Sequence, residues 1–172
     1  DVDVVEYPCI GSRLHPYVAG SLCEGRPLDE FAAIAFSSKR GVQGMTEAAP
    51  GIAASRQFLA AVGNRTATEV EELFGRPADV VANAQTGAGL AEELSAVLSP
   101  GASVLYVSGA QTTGQFEKGM EENGYRVCKL VVYENIQPRL EPLVGLPGRL
   151  IGVFASPSAA QRFFLVNRRL RS

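Results

Sequence analysis

The feature that most constrains this chain is a regular alternation of short apolar runs with longer helix-patterned runs. Residues 31–37 (FAAIAFS), 58–62 (FLAAV), 79–82, 103–107 (SVLYV), 125–133 (YRVCKLVVY) and 150–154 have strand length and composition. Helical patterns lie between them: to about residue 48, over 66–74, over 87–98, up to Gly124, and over 158–170. The strand runs are apolar throughout rather than alternating with polar residues, so each needs cover on both faces. That predicts parallel strands buried under helices, the α/β layered class. One more strand is expected over residues 2–7 (VDVVEY), stopped by Pro8. Turn chemistry supports the boundaries. Pro50-Gly51, Gly63-Asn64, Gly75 with Pro77, and Gly124 all stand between runs. Thr66 followed three residues on by Glu69 reads as a capping box at the start of its helix. Two Gly- and Pro-rich linkers, 8–29 and 136–149, bracket a self-contained block, and the segments outside them belong to a second domain.

Composition excludes several functions. With 46% hydrophobic and 20% charged residues the chain is globular rather than disordered. A formal net charge of −2 gives no general attraction for a polyanion, so no nucleic-acid partner is expected. Arg168, Arg169 and Arg171 read as the solvated end of a helix, where cations are favoured. No apolar run is long enough to span a membrane. Cys9, Cys23 and Cys128 are scattered, odd in number and without C-x-x-C spacing, which reads as reduced thiols in a cytoplasmic protein. With His15 the single histidine, placed in a loop before Pro16, neither a metal site nor a Ser-His-Asp arrangement is expected. Gly87-x-Gly89 is followed by Glu92 where a dinucleotide loop needs its third glycine, and an acid there repels a pyrophosphate.

Four strand ends carry small polar residues: Ser37-Ser38, Gly63-Asn64-Arg65-Thr66, Ser108-Gly109 and Ser156-Pro157-Ser158. Two of them repeat one pattern, in AAIAFSSKRGVQGM (32–45) and IGVFASPSAAQRFF (151–164). Each corner has a plain reading as a helix cap, since Ser and Thr suit the N-cap and Pro the first helical position. Taken together they also form a rim of hydroxyls and backbone N–H groups suited to carboxylates or phosphates. Tyr133, leaving a buried strand, is either core with its hydroxyl on water or a proton donor. The acidic pairs Glu71-Glu72 and Glu121-Glu122 read as solvated helix faces.

Four pieces of the chain, in order, resemble the pattern of the uroporphyrinogen-III synthase family. They are IAFSSKRGVQGM, AAVGNRTATEVEELFG, VLYVSGAQTTGQFEKGMEENGYRVCKLVVYEN and VFASPSAAQRFF. The resemblance covers nearly the whole chain and implies two doubly wound parallel-sheet domains of HemD type, flavodoxin-like lobes joined by a two-stranded linker. Residues 29–135 would form the inserted domain. Residues 1–28 and 136–172 would form the other, discontinuous and only partly present. VVEYPCI would be the outgoing link and KLVVYENI the returning one. The repeated corner would then be one corner per lobe, with Ser38 and Ser156 on opposite jaws.

The resemblance further implies a monomer that cyclises hydroxymethylbilane, an open tetrapyrrole rich in carboxylates, to uroporphyrinogen III. The last ring is inverted and water is lost, with no cofactor and no metal. Tyr133 is the implied catalytic residue, assisting loss of the hydroxyl. Ser37, Ser38, Gly63, Asn64, Thr66, Ser108, Gly109, Ser156 and Ser158 are the implied substrate contacts. Lys39 stands where many members have proline; it is an unusual corner residue that could salt-bridge a substrate acid. Two other classes fit the same corners. One is a two-lobed binding module that clasps an anion without chemistry, and the other is a regulatory relative without activity.

Overall fold

A computed structural model describes residues 4–15, 23–49, 51–52, 56–145 and 151–168. The elements are β1 (Gly11–Leu14), β2 (Ala33–Phe36), α1 (Lys39–Ala48), β3 (Phe58–Ala61), α2 (Asn64–Phe74), β4 (Val80–Val81), α3 (Gly87–Val97), β5 (Ser103–Gly109), α4 (Gln115–Glu122), β6 (Arg126–Ile136) and α5 (Pro157–Val166), with short 3₁₀ turns at Cys23–Gly25 and Leu28–Glu30. The chain divides into two units. The larger is Leu14–Glu134 and the smaller is Asp1–Arg13 with Asn135–Ser172. The division falls inside β1 and β6.

The six strands form one sheet in the order β1-β6-β5-β2-β3-β4. The pairs β2–β3, β2–β5, β3–β4 and β5–β6 are parallel. Period-two alternation divides the core of the larger unit into two layers. Ile34 and Phe36 of β2 pack with Leu59, Val107 and the apolar stripe of α1 and α2, including Val42, Met45, Val70 and Phe74. Ala33 and Ala35 face the other way, against Leu90 and Leu94 of α3 and Phe116 and Met120 of α4. The alanines on that face make room for the larger helix residues. Ile34, Phe36, Leu90, Leu94, Phe116 and Met120 are all fully or almost fully buried. Each such side chain contributes about 1.5–3 kcal/mol relative to exposure.

In the smaller unit α5 is the one regular element that lies wholly within it, among the described residues. Phe163 holds this unit together. Its ring meets Tyr7 at 5.5 Å, Phe154 at 5.2 Å and Phe164 at 5.3 Å. Asn167, buried after the last turn, accepts from the Leu143 N–H at 2.7 Å and donates to the Phe163 carbonyl.

Several sequence expectations are corrected. Residues 4–7 are not a strand; the pairing of β6 is taken instead by Gly11–Leu14, and Val4 and Val5 are exposed. Residues 151–154 are irregular too, with Ile151 85% and Val153 92% exposed. An apolar run gains a ladder only where a neighbouring strand and a covering layer meet it, and neither run has both among the described residues. Residues 2, 3 and 150 lie outside the described residues, as do Arg169 and Arg171. The capping box is absent. Helix α2 begins at Asn64 with Gly63 as its N-cap and no side-chain cap, and Thr66 is buried inside the first turn. Glu69 turns away because two better partners sit on α1: Lys39 Nζ at 2.7 Å and Gln43 Nε2 at 2.7 Å. The cysteines are not all reduced. Cys23 and Cys128, with Cα atoms 5.9 Å apart, form a disulfide, and Cys9 is free and buried. The fold brings together two residues that lie 105 apart in sequence.

Candidate functional site

Successive βα units run from β2 outward through β3 to β4. The chain then returns to the other side of β2 to lay down β5 and β6. The direction of winding therefore reverses between β2 and β5. In parallel α/β sheets the crevice at the carboxyl ends of such a strand pair is where ligands bind. Here that crevice is bordered by Ser37-Ser38 after β2, by Gly109 and the turn to α4 after β5, and by Tyr133 on β6.

Ser38 is the N-cap of α1. Its backbone is extended (φ −168°, ψ 161°) and its Oγ accepts from the Gly41 N–H at 3.1 Å. The same hydroxyl donates to the Tyr133 phenol oxygen at 3.1 Å. Tyr133 owes its direction to a β-bulge. Ser108 is opposite Val131, but Gly109 is opposite Tyr133, so Val132 is an extra residue on β6. The alternation of β6 sends Cys128, Leu130 and Val132 toward the α1–α2 layer. Without the bulge Tyr133 would face the opposite layer; the extra residue returns it to the α1 side, within reach of Ser38. Gly109 clears the path. A Cβ there would lie 2.6 Å from Cζ of Tyr133 and 2.9 Å from its hydroxyl. Gly44 of α1 does the same for the bulge, since a Cβ would lie 2.7 Å from Val132 Cβ and Cγ2.

The other proposed contacts are placed in different ways, each within its own unit. Ser37 is half-buried and its hydroxyl donates to the Val107 carbonyl at 3.2 Å. Ser108 is fully buried and donates to the Gly109 carbonyl at 3.2 Å, so its side chain faces inward. Gly63 and Asn64 start α2, and without a side-chain cap that helix end keeps N–H groups for an anion. Thr66 stands buried behind them. Ser156 caps α5 as Ser38 caps α1, with an extended backbone (φ −157°, ψ 155°) and its Oγ accepting from Ala159 N–H at 3.2 Å. Its hydroxyl also meets Ser158 Oγ at 3.1 Å. Ser158 lines an open hollow of about 700 Å³ in the smaller unit, with Gln161, Arg162 and Arg168. Lys39 is held by Glu69 within the protein rather than left for a substrate acid.

Sequence reasoning missed Tyr106 and Gln85. Tyr106 lies in the middle of β5 and stacks on Phe116, with ring centroids 4.3 Å apart. Burial, first, pushes its phenol up to about 12, and the nearby Glu117 carboxylate adds to this. It remains protonated at neutral pH. Within an apolar run a tyrosine gives no sign of which strand end its hydroxyl reaches. Gln85 has a left-handed backbone (φ 50°). Its side chain lies over Gly63, 3.0 Å from where a Cβ would stand there. A glutamine before Thr86 carries no sequence signal for that conformation. Among the described residues no group of three or more His, Cys, Asp or Glu side chains is placed to hold a metal ion. Among the same residues no helix is long and apolar enough to cross a membrane.

A sheet between two helical layers, with hydroxyls and a phenol at its reversal point, defines an α/β protein whose candidate site lies at the carboxyl edge. A family model described as uroporphyrinogen-III synthase HemD matches residues 1–170, and the chain belongs to that family. Among the solved structures that resemble it are two with a TM-score above 0.5. One is a mutant uroporphyrinogen III synthase from the extremely thermophilic bacterium Thermus thermophilus, 20% identical, covering 76% of this chain and 52% of that chain at a TM-score of 0.53. The other is uroporphyrinogen-III synthetase from Helicobacter pylori, also 20% identical, covering 77% of this chain and 55% of that chain at a TM-score of 0.56. At that identity the likeness concerns the fold, a mixed α/β architecture. The chain spans about half the length of these relatives. No curated protein sequence matches it.

Proposed function

We propose that this protein acts as a uroporphyrinogen-III synthase, closing hydroxymethylbilane to uroporphyrinogen III with inversion of the last ring and release of water. The observation that carries the reading is the placement of Tyr133 at the reversal point of the sheet, aimed by a β-bulge and held by Ser38. In the family to which the chain belongs, the reaction needs a departing hydroxyl and a constrained chain of pyrroles. A phenol at this edge suits the first need. It lends a proton to the hydroxyl as the C–O bond breaks, so that water leaves. It takes a proton back when the closed ring regains its aromatic pyrroles.

The second need is positioning. Favouring one closure a hundredfold takes only about 2.7 kcal/mol of barrier difference. Ordered binding can supply roughly 7–11 kcal/mol. Backbone N–H groups at Gly63-Asn64 and in the turn after Gly109 are the proposed holders of substrate carboxylates, with Ser37, whose hydroxyl is bound to the Val107 carbonyl, and the buried Ser108 and Thr66 supporting them from behind. A chain with a net charge of −2 would hold a polyacid through such local dipoles rather than through a basic surface. We assign Ser156 and Ser158 to the corresponding corner of a second α/β lobe, because the Ser156 cap repeats the Ser38 cap in backbone and in partner. The protein is proposed to work as a monomer in the cytoplasm, on a small-molecule substrate.

The test is to supply hydroxymethylbilane and separate the products by chromatography. Formation of the type III isomer faster than the spontaneous type I closure is the expected result. Type I alone, at the spontaneous rate, would refute the reading.

A further inference from the structure

We propose that Ser38 is a positioning residue for Tyr133, which it holds with the phenol proton free for the ligand, and is not itself a substrate contact. The inference rests on the synthase reading above and deepens it. The geometry is a chain of two hydrogen bonds that starts at a helix end. The Gly41 N–H donates to Ser38 Oγ at 3.1 Å, and Ser38 Oγ–H donates to Tyr133 Oη at 3.1 Å. A serine hydroxyl has one proton. Given to the phenol oxygen, that proton is not available to a carboxylate. The phenol oxygen, accepting from Ser38, keeps its own O–H for a group in the crevice.

The direction of the chain also favours catalysis. It begins at the positive end of α1, and successive donation polarises each member toward the next. A phenol whose oxygen accepts such a bond is a better donor. Tyr106 offers the contrast on the opposite layer, where burial against Phe116 holds its phenol protonated.

The test combines kinetics and spectroscopy. Ser38→Ala is expected to lower kcat about tenfold, part of the roughly 10²–10⁴-fold worth of a positioned acid, with KM little changed. Ser38→Thr keeps the hydroxyl and restores most of kcat. Ser38→Gly, which helix starts tolerate better than Ala, repeats the loss with a smaller effect on folding. In a Tyr133→Phe background, Ser38→Ala has no further effect on kcat. A rise in KM with kcat unchanged, or an undiminished loss in the Tyr133→Phe background, would make Ser38 a direct substrate contact and overturn the proposal.

A second arm needs no turnover. With Cζ-labelled tyrosine, the Tyr133 resonance is identified by its absence in Tyr133→Phe. It is expected to move in Ser38→Ala and to stay near its parent position in Ser38→Thr. An unmoved resonance in Ser38→Ala refutes the bond. If the unmodified protein forms no type III product, the synthase reading fails, while this arm still decides whether Ser38 holds Tyr133.

Discussion

Gly109 leaves open the space that the Tyr133 ring occupies: a Cβ on Gly109 would lie 2.6 Å from Cζ and 2.8 Å from Cε2 of that ring. The two residues are paired across β5 and β6, immediately after the bulge. Any side chain at position 109 must displace the phenol, and the phenol is the end of a side chain that can rotate away. Gly109→Ala is therefore expected to cost at most about 1–3 kcal/mol of stability. Its larger effect falls on turnover, which should approach that of Tyr133→Phe. Thermal melting and product chromatography on the two variants check this. A Gly109→Ala protein with full activity would disconnect the glycine from the site.

Gly44 makes the matching argument from the other side of the bulge. A Cβ there meets Val132 Cβ and Cγ2 at 2.7 Å and the Val132 carbonyl oxygen at 3.3 Å, none of which can swing aside cheaply. Alanine in a helix interior normally gains about 1 kcal/mol over glycine. Overpacking by a methyl costs about 1–3 kcal/mol, so Gly44→Ala is expected to be neutral to destabilising rather than stabilising. Adding Val132→Ala should recover part of the loss. A double-mutant cycle by urea denaturation measures the coupling. A plain gain in stability from Gly44→Ala alone would mean that α1 and the bulge are not in contact.

These two glycines show where sequence reading ran out. The strands were legible because burial on both faces leaves a mark: Ala33, Ile34, Ala35 and Phe36 are apolar without interruption, and the structure uses one pair on each layer. The serine caps were legible because capping is local; Ser38 and Ser156 each reach only three residues ahead. Tyr133 could be picked out, but not its direction, which depends on a register shift between two strands. The Cys23–Cys128 bond and the Lys39–Glu69 pair were invisible for the same reason, being contacts between segments far apart in sequence. Residues 4–7 and 151–154 failed in the opposite sense. Their apolar character resembles a strand, yet a ladder needs a neighbour as well as a pattern.

The Glu69 carboxylate gives a pH prediction. Hydrogen bonds from Lys39, first, and from Gln43 hold it below the usual carboxylate range, against the opposing effect of burial. Its folded pKa is depressed, so the stability it contributes is present above the unfolded pKa of about 4.3 and is lost as pH falls through the folded value. Lys39 is raised by the same partner, so its share is present below about pH 10.4 and lost above it. The clip between α1 and α2 is thus intact between these limits and opens on either side. Glu69→Gln is expected to lower stability at neutral pH and to flatten the acid limb of the stability profile. Urea midpoints from pH 3 to 7, measured on both proteins, check it. An acid limb unchanged by the substitution would assign that limb to other carboxylates.

The disulfide makes the largest stability prediction. Cys23 lies in a short 3₁₀ turn and Cys128 in β6, with a sequence separation of 105. Closing a loop of that length removes chain entropy worth about 4.7 kcal/mol from the unfolded state in the ideal case, and about 2–4 kcal/mol as usually measured. Thiol titration of the denatured, unreduced protein should find one free group, Cys9, whose burial hides it in the folded state. Reduction should then lower the unfolding free energy by about 2–4 kcal/mol. A Cys23→Ala/Cys128→Ala variant should show a value at least as low, with or without reductant, because it lacks the constraint on the unfolded chain and also loses the packing of the buried Cys23. Three titratable thiols in the unreduced protein would show that the bond does not form, and the unfolding free energy should then be unaffected by reductant.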